Sequence, residues 1–421
     1  MYDVNGNALI STEIVESALK KYLEILDNRV LEPEEINVEE CLSRILYDDV
    51  VAKTDLPAYS KALVDGFAVR ANDISSADAK SPVTLKMIGD ISVSDQHKHS
   101  LGTKETVKIS TGALLPENAD SIVLQEDAVE EGKSVKILRS IIMGSNVAKS
   151  GEDILSAEIF IRKNRKIRPQ DIGGIIGLGI KKIKVYKKPV VSIIPTGSEL
   201  VPIDTEPQPG QIIASNGYML KAAIEQLGGI GRVLGIVKDD LKSLKKSVEK
   251  ALASSDIVLI SGGSSTGTRD FTLKAVESFE NSQLVCHGIA MRPGKQTLLA
   301  YINGIPVIGL PGHPVSSMTS FLTFAKPVLI QLGGNPRSFW QEKKDNIVLD
   351  AILARDVESP KGIEDYVRVR LKQNDNGKIT AYPYAGKSSF LSTLVKAHGI
   401  IKLAPECSKL YEGDRVQVML F

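Results

Sequence analysis

The chain has 421 residues, more than one ordinary core takes at ~100–200 residues per domain, and 43% of them are apolar, so a globular protein of several domains is expected. Lys+Arg 52 against Asp+Glu 51 leaves a net charge of +1, which removes the long-range electrostatic case for a nucleic acid or an anionic membrane as partner; any anion must be held by local chemistry. Cys41, Cys286 and Cys407 lie far apart with no C-x-x-C pair, the N-terminus lacks a basic leader, and no run approaches the ~18 apolar residues of a membrane span, which together predict a soluble cytoplasmic protein without a disulfide framework or structural zinc.

Residues 12–26, TEIVESALKKYLEIL, place Ile14, Ala18, Tyr22 and Ile25 at helical spacing, and a shorter helical pattern follows at 38–46. From 54 to 146 short β-like runs such as ETVKIS and DSIVLQEDAV alternate with Gly, Asn, Asp and Pro turns, predicting a small antiparallel β domain. RPQDIGGIIGLG is helical again, with Pro169 suited to a first turn, Gly179 to an end, and Gly173, Gly174 and Gly177 to a close-packing face. Over 190–330 strand and helix alternate: VVSIIP, NGYMLKAAIEQLG, GRVLGIV, a helix with Leu241, Leu244, Val248 and Leu252 on one stripe, then DIVLIS. That order predicts a mostly parallel sheet covered on both faces. After 336 the runs are β-like once more, so a terminal β domain is expected.

In a parallel α/β sheet, ligands bind beyond the carboxyl ends of the strands, where helix N-termini and free backbone N–H groups point. One such end is DIVLISGGSSTGTRDFT, residues 256–272. Gly262, Gly263 and Gly267 let backbone approach a ligand, and Ser261, Ser264, Ser265 and Thr266 offer hydroxyls. PTGSEL with Gly197, MRPGK and GLPGHPVSS leave neighbouring runs in the same way, so four loops outline one anion pocket. Arg292 and Lys295 supply its positive charge, each as a charge-assisted donor to phosphate oxygens. Glu199 and Asp270 stand at its mouth, and a carboxylate ~4 Å from a phosphate charge is repelled by about 4 kcal/mol at an effective dielectric of 20. Either a divalent cation such as Mg2+ lies between these acids and the phosphate, or the acids are helix caps. His97 and His99 read as a metal pair or a hairpin tip, His313 as a ligand contact or a helix-start residue, and Trp340 as an anchor of the last domain.

The motifs LPAYSKALVDGFAVR, ISTGALLPENADSIVLQED, SGEDI, PTGSEL, SGGSSTGTRD, MRPGK and LPGHPVSS occur in an order that resembles the MoeA and gephyrin E-domain family, the molybdopterin molybdenumtransferases. The resemblance implies a multidomain α/β protein: a discontinuous elongated N-terminal domain (1–53 plus 147–187), an inserted β domain (54–146), a central α/β molybdopterin-binding domain with a parallel-rich sheet (188–335) and a C-terminal β barrel (336–421). It further implies a homodimer whose active site is shared between subunits, with adenylyl-molybdopterin and molybdate or tungstate as substrates, Mg2+ as cofactor, AMP as product and other molybdenum cofactor biosynthesis proteins as partners. Carried over by position, Asp65 and Thr111 reach in from the other subunit, and Asp153, Glu199 and Asp270 are activity acids, Glu199 and Asp270 holding the metal. Ser265, Thr266 and Gly267, with Ser261, Gly262 and Gly263, line the pterin phosphate. Arg292, Lys295, Ser316, Arg368, Ser388 and Ser389 make an oxyanion site. The chain departs from the family pattern at Ala62, Val64, Ser198, Gln296 and His313, the last standing where LPGNP has asparagine. A catalytically diverged pterin-binding or scaffold paralogue is the alternative.

Overall fold

The first helix, α1 (Val15–Leu26), buries Val15, Ala18, Tyr22 and Leu26, while Ile14 is 54% exposed as the N-cap residue. The apolar stripe therefore starts one residue later than Ile14 and excludes Ile25, because i, i+3, i+7 counted from Val15 is the series that faces the core. Tyr22 fixes it: its hydroxyl donates to the carbonyls of Ala300 and Val307, and Tyr301 Oη donates back to Tyr22 O at 2.6 Å. The pattern at 38–46 forms one 3-10 turn, Val38–Glu40, and no longer helix; Ser43 at φ +63° is incompatible with continuation. The computed structural model describes residues 12–95, 99–263, 270–334, 348–384 and 386–421. It divides into two units, Met1–Glu35, Ser43–Tyr47 and Lys184–Phe421 in one, Ile36–Leu42 and Asp48–Ile183 in the other.

The smaller unit carries a six-stranded sheet built from β1 (Gly66–Val69), β2 (Val83–Ile91), β3 (Glu105–Ile109), β4 (Ser121–Leu124), β5 (Ala128–Glu131) and β6 (Ser134–Ile137), in the order β4-β1-β3-β2-β6-β5. All neighbours are antiparallel except β2 and β3, which run parallel. Period-two alternation gives each face its own core, Ala68, Val107 and Ile122 on one and Phe67, Val69 and Val123 on the other. Helix α2 (Pro169–Gly177) has proline in its first turn, and Asp171 accepts from the backbone N of Arg168 at 2.9 Å and from its guanidinium. Of its three glycines only Gly174 is close-packed, since a Cβ there would lie 2.5 Å from the Phe160 ring; Gly173 and Gly177 face open space.

The larger unit contains the alternating region: β7 (Val190–Pro195), α3 (Ser215–Gln226), β8 (Ile230–Val233), α4 (Leu241–Leu252), β9 (Ile257–Ser261), α5 (Phe271–Glu277), β10 (Ser282–His287), β11 (Met291–Arg292), β12 (Leu298–Ile302), β13 (Ile305–Leu310) and α6 (Pro314–Ser320), which runs through a π-helical turn into α7 (Lys326–Leu332). The sheet order is β8-β7-β9-β13-β12-β10. Its first four strands are parallel; β12 reverses, and β10, antiparallel to β12, again points with the parallel set. The four loops after β7, β9, β10 and β13 thus leave the same edge. Val191, Ile193 and Leu259 pack on one face and Ile194, Val258 and Ile260 on the other, the two-sided burial of a covered parallel sheet. On α4 the buried stripe is Leu244, Val248 and Ala251, with Leu241 turned out at 39% exposure.

The terminal region forms β14 (Val348–Leu353), β15 (Glu364–Gln373), β16 (Ile379–Pro383), the short helix α8 (Leu391–Val395), β17 (Gly399–Leu403) and β18 (Arg415–Leu420). Strand β15 bonds to both β16 and β17, closing the circuit β15-β16-β14-β18-β17 into a five-stranded barrel. No helix among the described residues is long and apolar enough to cross a membrane.

Candidate active site

At the carboxyl edge of the α/β sheet lies a cavity of about 1300 Å³. Two strand-end turns shape its floor. Thr196 N donates to Ser261 O at 3.0 Å and Gly262 N to Leu310 O at 3.0 Å, so the exits of β7, β9 and β13 are held in one plane. Gly262 has φ +111°, and a Cβ on it would sit 2.1 Å from Thr196 O, so backbone occupies the space that any side chain would need. Asp239 accepts from Thr196 Oγ1 and from Ser198 N, both at 3.2 Å, which fixes the turn bearing Gly197 and Glu199. Asn216 Nδ2 donates to Gly312 O at 2.7 Å and ties α3 to the loop after β13.

The facing wall comes from the barrel. Strand β11 pairs in parallel with Glu364 and Asp365 of β15, and Arg292 clasps Asp365 with both arms of its guanidinium, Nε to Oδ1 at 3.0 Å, while also donating to Glu358 O. Asp365 is buried, and its carboxylate holds the Arg292 pKa above the ordinary value. Arg292 is therefore already matched by an internal acid. Arg355 Nη2 donates to Pro383 O. Arg368 is different. Only 7% exposed, it gives one bond, Nη2 to Gly386 O at 3.2 Å, and its Nε is buried with no hydrogen-bond partner. Burial lowers its pKa, against the opposing charge of Asp365. A guanidinium stays ionised under such stress, so a buried donor on a cationic group is left unsatisfied in the wall of a cavity. An oxyanion is the chemical complement of that donor.

Gly197, Glu199, Ser261, Gly262, Gly263, Arg292, Lys295, Ser316, Arg368, Ser388 and Ser389 all line this cavity. Ser265, Thr266 and Gly267 lie outside the described residues, as do His97 and Trp340. Asp270 is not part of the described lining. It is the N-cap of α5, its Oδ1 accepting from Leu273 N at 2.9 Å, and its Oδ2 lies 3.0 Å from His287 Nε2. That approach is an ion-pair distance without hydrogen-bond geometry, so the buried Oδ2 keeps an unfilled acceptor position.

No group of three or more His, Cys, Asp or Glu able to hold a metal occurs among the described residues. Mg2+ bound to phosphates uses one or two carboxylates and keeps water; the exposed carboxylate of Glu199 on the cavity lining suits that donor chemistry, whereas Oδ2 of Asp270 is buried beside His287 and off the described lining.

In the smaller unit, Asp65 and Thr111 meet: Asp65 Oδ1 accepts from Thr111 N at 2.7 Å and from Thr111 Oγ1 at 3.0 Å. Gly66 beside it is dictated by contact, since a Cβ would lie 2.0 Å from Val123 O. Asp153 is exposed on the loop whose backbone N–H donates to Leu56 O.

Sequence reasoning did not single out Asp239, Asn216, Arg355, Asp365 or His287. Asp365 carried a signal, an acid among the apolar residues of DYVRVRLK; His287, at the end of an ordinary strand, carried none.

Residues 14–179 match the family described as MoeA N-terminal region (domain I and II), residues 192–331 the probable molybdopterin binding domain, and residues 350–421 the MoeA C-terminal region (domain IV). A putative molybdopterin biosynthesis protein of Methanocaldococcus jannaschii is 34% identical over 97% of this chain and 96% of its own length. The molybdopterin molybdenumtransferase of Bacillus subtilis is 33% identical over 92% of this chain and 90% of its own. The crystal structure of a molybdopterin biosynthesis MoeA protein from Pyrococcus horikosii superposes with a TM-score of 0.84 at 34% identity, covering 97% of this chain and 99% of that one. Relatives that align end to end, with the same three regions in the same order as the sheet, cavity and barrel described above, leave one assignment: the chain belongs to the MoeA family.

Proposed function

We propose that this protein is a molybdopterin molybdenumtransferase of molybdenum cofactor biosynthesis, taking adenylyl-molybdopterin and molybdate, with tungstate as the competing oxyanion, and releasing AMP. The observation that carries the reading is Arg368, a largely buried guanidinium that lines the strand-end cavity and whose Nε has no hydrogen-bond partner among the described residues. Molybdate, a tetrahedral dianion, would accept from this donor, with Lys295, Ser316, Ser388 and Ser389 beside it. The turn at Gly262 and Gly263, where backbone fills the space that a side chain would need, would let main chain approach the pterin phosphate. Mg2+ held by Glu199, with Asp270 as a second carboxylate once its Oδ2 turns from His287, would neutralise phosphate charge. Arg292 positions rather than binds, because Asp365 already satisfies its fork.

Asp65, ordered by Thr111, and Asp153 would act on the same substrate from the partner subunit of a homodimer. Support for self-association comes from an apolar groove of about 1460 Å³ in the larger unit, lined by Leu19, Leu23, Met219, Met318, Leu322 and Val395 among others. A four-domain division at 53/54, 146/147, 187/188 and 335/336 would keep the smaller unit's six-stranded sheet, the α/β sheet and the five-stranded barrel each in one segment, while Val147 and Ala148 pair with Ala62 and Lys61, and β11 with β15, across the limits. Three free cysteines are in keeping with work in the cytoplasm.

The test is to incubate the protein with adenylyl-molybdopterin, molybdate and Mg2+ and to measure AMP. AMP should appear only when molybdate is present, and Arg368→Ala should lower the rate ~10- to 100-fold through the loss of a charged hydrogen bond and its buried cation. Retained pterin binding with no AMP would favour the diverged, non-catalytic paralogue.

A further inference from the structure

His313 occupies the N-cap position of α6, yet its side chain makes no capping bond. Caps are ordinarily Ser, Thr, Asp or Asn, whose short oxygens reach the first-turn N–H groups. Here the ring turns the other way: Nδ1 lies 2.9 Å from Ser388 Oγ. Helix formation therefore does not account for the residue. Three bonds converge on the short loop opposite. Val315 N donates to Ser388 O at 3.2 Å, Arg368 Nη2 donates to Gly386 O at 3.2 Å, and the His313 ring engages the Ser388 hydroxyl. The first two fix the loop backbone. Only the third acts on a group that can rotate.

A serine hydroxyl has one proton and can aim it in only one direction at a time. If Nδ1 were bare, the hydroxyl would donate to the ring and present lone pairs to the cavity, repelling an anion. If Nδ1 carries the proton, the ring donates to Oγ and the hydroxyl proton remains for an oxyanion. The second arrangement places a directed O–H donor in the same cavity wall as the unfilled Nε of Arg368.

We propose that His313 is a positioning residue for oxyanion recognition, donating from Nδ1 to Ser388 Oγ so that the Ser388 hydroxyl is aimed, with Arg368, at a tetrahedral oxyanion. The inference rests on the oxyanion reading of this cavity given above. It also explains how the chain dispenses with the amide of the LPGNP pattern: His Nδ1 and Asn Nδ2 stand at the same place along their side chains, and both can donate a hydrogen bond.

The experiment is calorimetric binding of molybdate, and separately of tungstate, to the full-length protein and its variants, with steady-state AMP release alongside. His313→Ala should weaken molybdate binding roughly 3- to 10-fold, the worth of one net hydrogen bond. It should raise the KM for molybdate with kcat nearly unchanged. Ser388→Ala should weaken binding at least as much, and His313→Ala/Ser388→Ala should be no weaker than Ser388→Ala alone, because both act through one hydroxyl. His313→Asn should recover most of the loss, which a merely structural role would not predict. Because the ring makes no cap bond, the melting temperature of His313→Ala should match that of the wild type.

Wild-type affinity in His313→Ala, or single losses that multiply in the double variant, would overturn the proposal. Arg368→Ala separates the two levels. If it weakens molybdate binding while His313→Ala does not, the positioning role fails and the oxyanion site stands. If it too binds molybdate normally, the oxyanion reading fails and the positioning role falls with it.

Discussion

Asp65 shows how much one side chain's chemistry depends on its neighbour. Two donors from Thr111 stabilise the ionised form, the backbone N–H more than the hydroxyl, and hold the Asp65 pKa below the ordinary carboxylate range. A depressed folded-state pKa means that this contribution to stability is present above the unfolded value of about 3.9 and is lost as pH falls through the folded value. Thr111→Val removes the hydroxyl and keeps the N–H, so the Asp65 pKa should rise part of the way. NMR titration of its carboxyl carbon reads this directly, and an unmoved midpoint would contradict the assignment. At this scale the sequence was legible for the placing of Lys295 and Glu199 at the cavity, whereas Arg292, expected as an anion donor, is matched by Asp365. It was least legible where packing decides: Arg368 alternates with valines in RVRLK and looks like an outward-facing strand residue, but the closed barrel leaves it 7% exposed. Asp270 carries both proposed characters at once, a helix cap on one oxygen and an unfilled buried acceptor on the other.

Among the elements, α2 separates glycine's two costs. Gly173 faces open space in a helix, so Gly173→Ala should stabilise by about 0.5–1 kcal/mol through helix propensity and reduced unfolded-state freedom. Gly174→Ala pushes a methyl into the Phe160 ring and should cost about 1–3 kcal/mol. Urea unfolding of the pair should show shifts of opposite sign. In the turn after β9, Gly262→Ala meets both strain and clash, and a loss of about 2–4 kcal/mol is expected from the two together, with loss of pterin binding. The alternation that predicted β7, β8 and β9 with α3 and α4 was readable because periods of 2 and 3.6 are written locally. Strand pairing is not. The parallel contact of β2 with β3, and the reversal at β12 that lets β10 rejoin the common direction, depend on partners distant in sequence. Stripes slipped by one residue on α1 and α4, since several neighbouring apolar residues fit a helical period equally well.

For the whole molecule, the shared-site proposal makes a quantitative prediction. Asp65→Ala and Asp270→Ala homodimers should each be inactive. Subunits exchanged between them should regain about one quarter of wild-type activity, because half of the dimers are hybrids and two-fold symmetry gives each hybrid one intact cleft and one doubly damaged cleft. Continued inactivity in verified hybrids would place all the acids in one subunit. The sequence changes texture near 54, 147, 188 and 336, but the joint between sheet and barrel was not legible, because it is made by a strand of only two residues. That strand, Met291–Arg292, has a consequence for dissection of the molecule. An isolated C-terminal fragment would lose its borrowed stave, leaving two backbone positions of β15 open for pairing with foreign chains and the buried Asp365 carboxylate without its guanidinium. Such a fragment should self-associate, and Asp365→Asn should relieve the part of that instability that comes from the stranded charge.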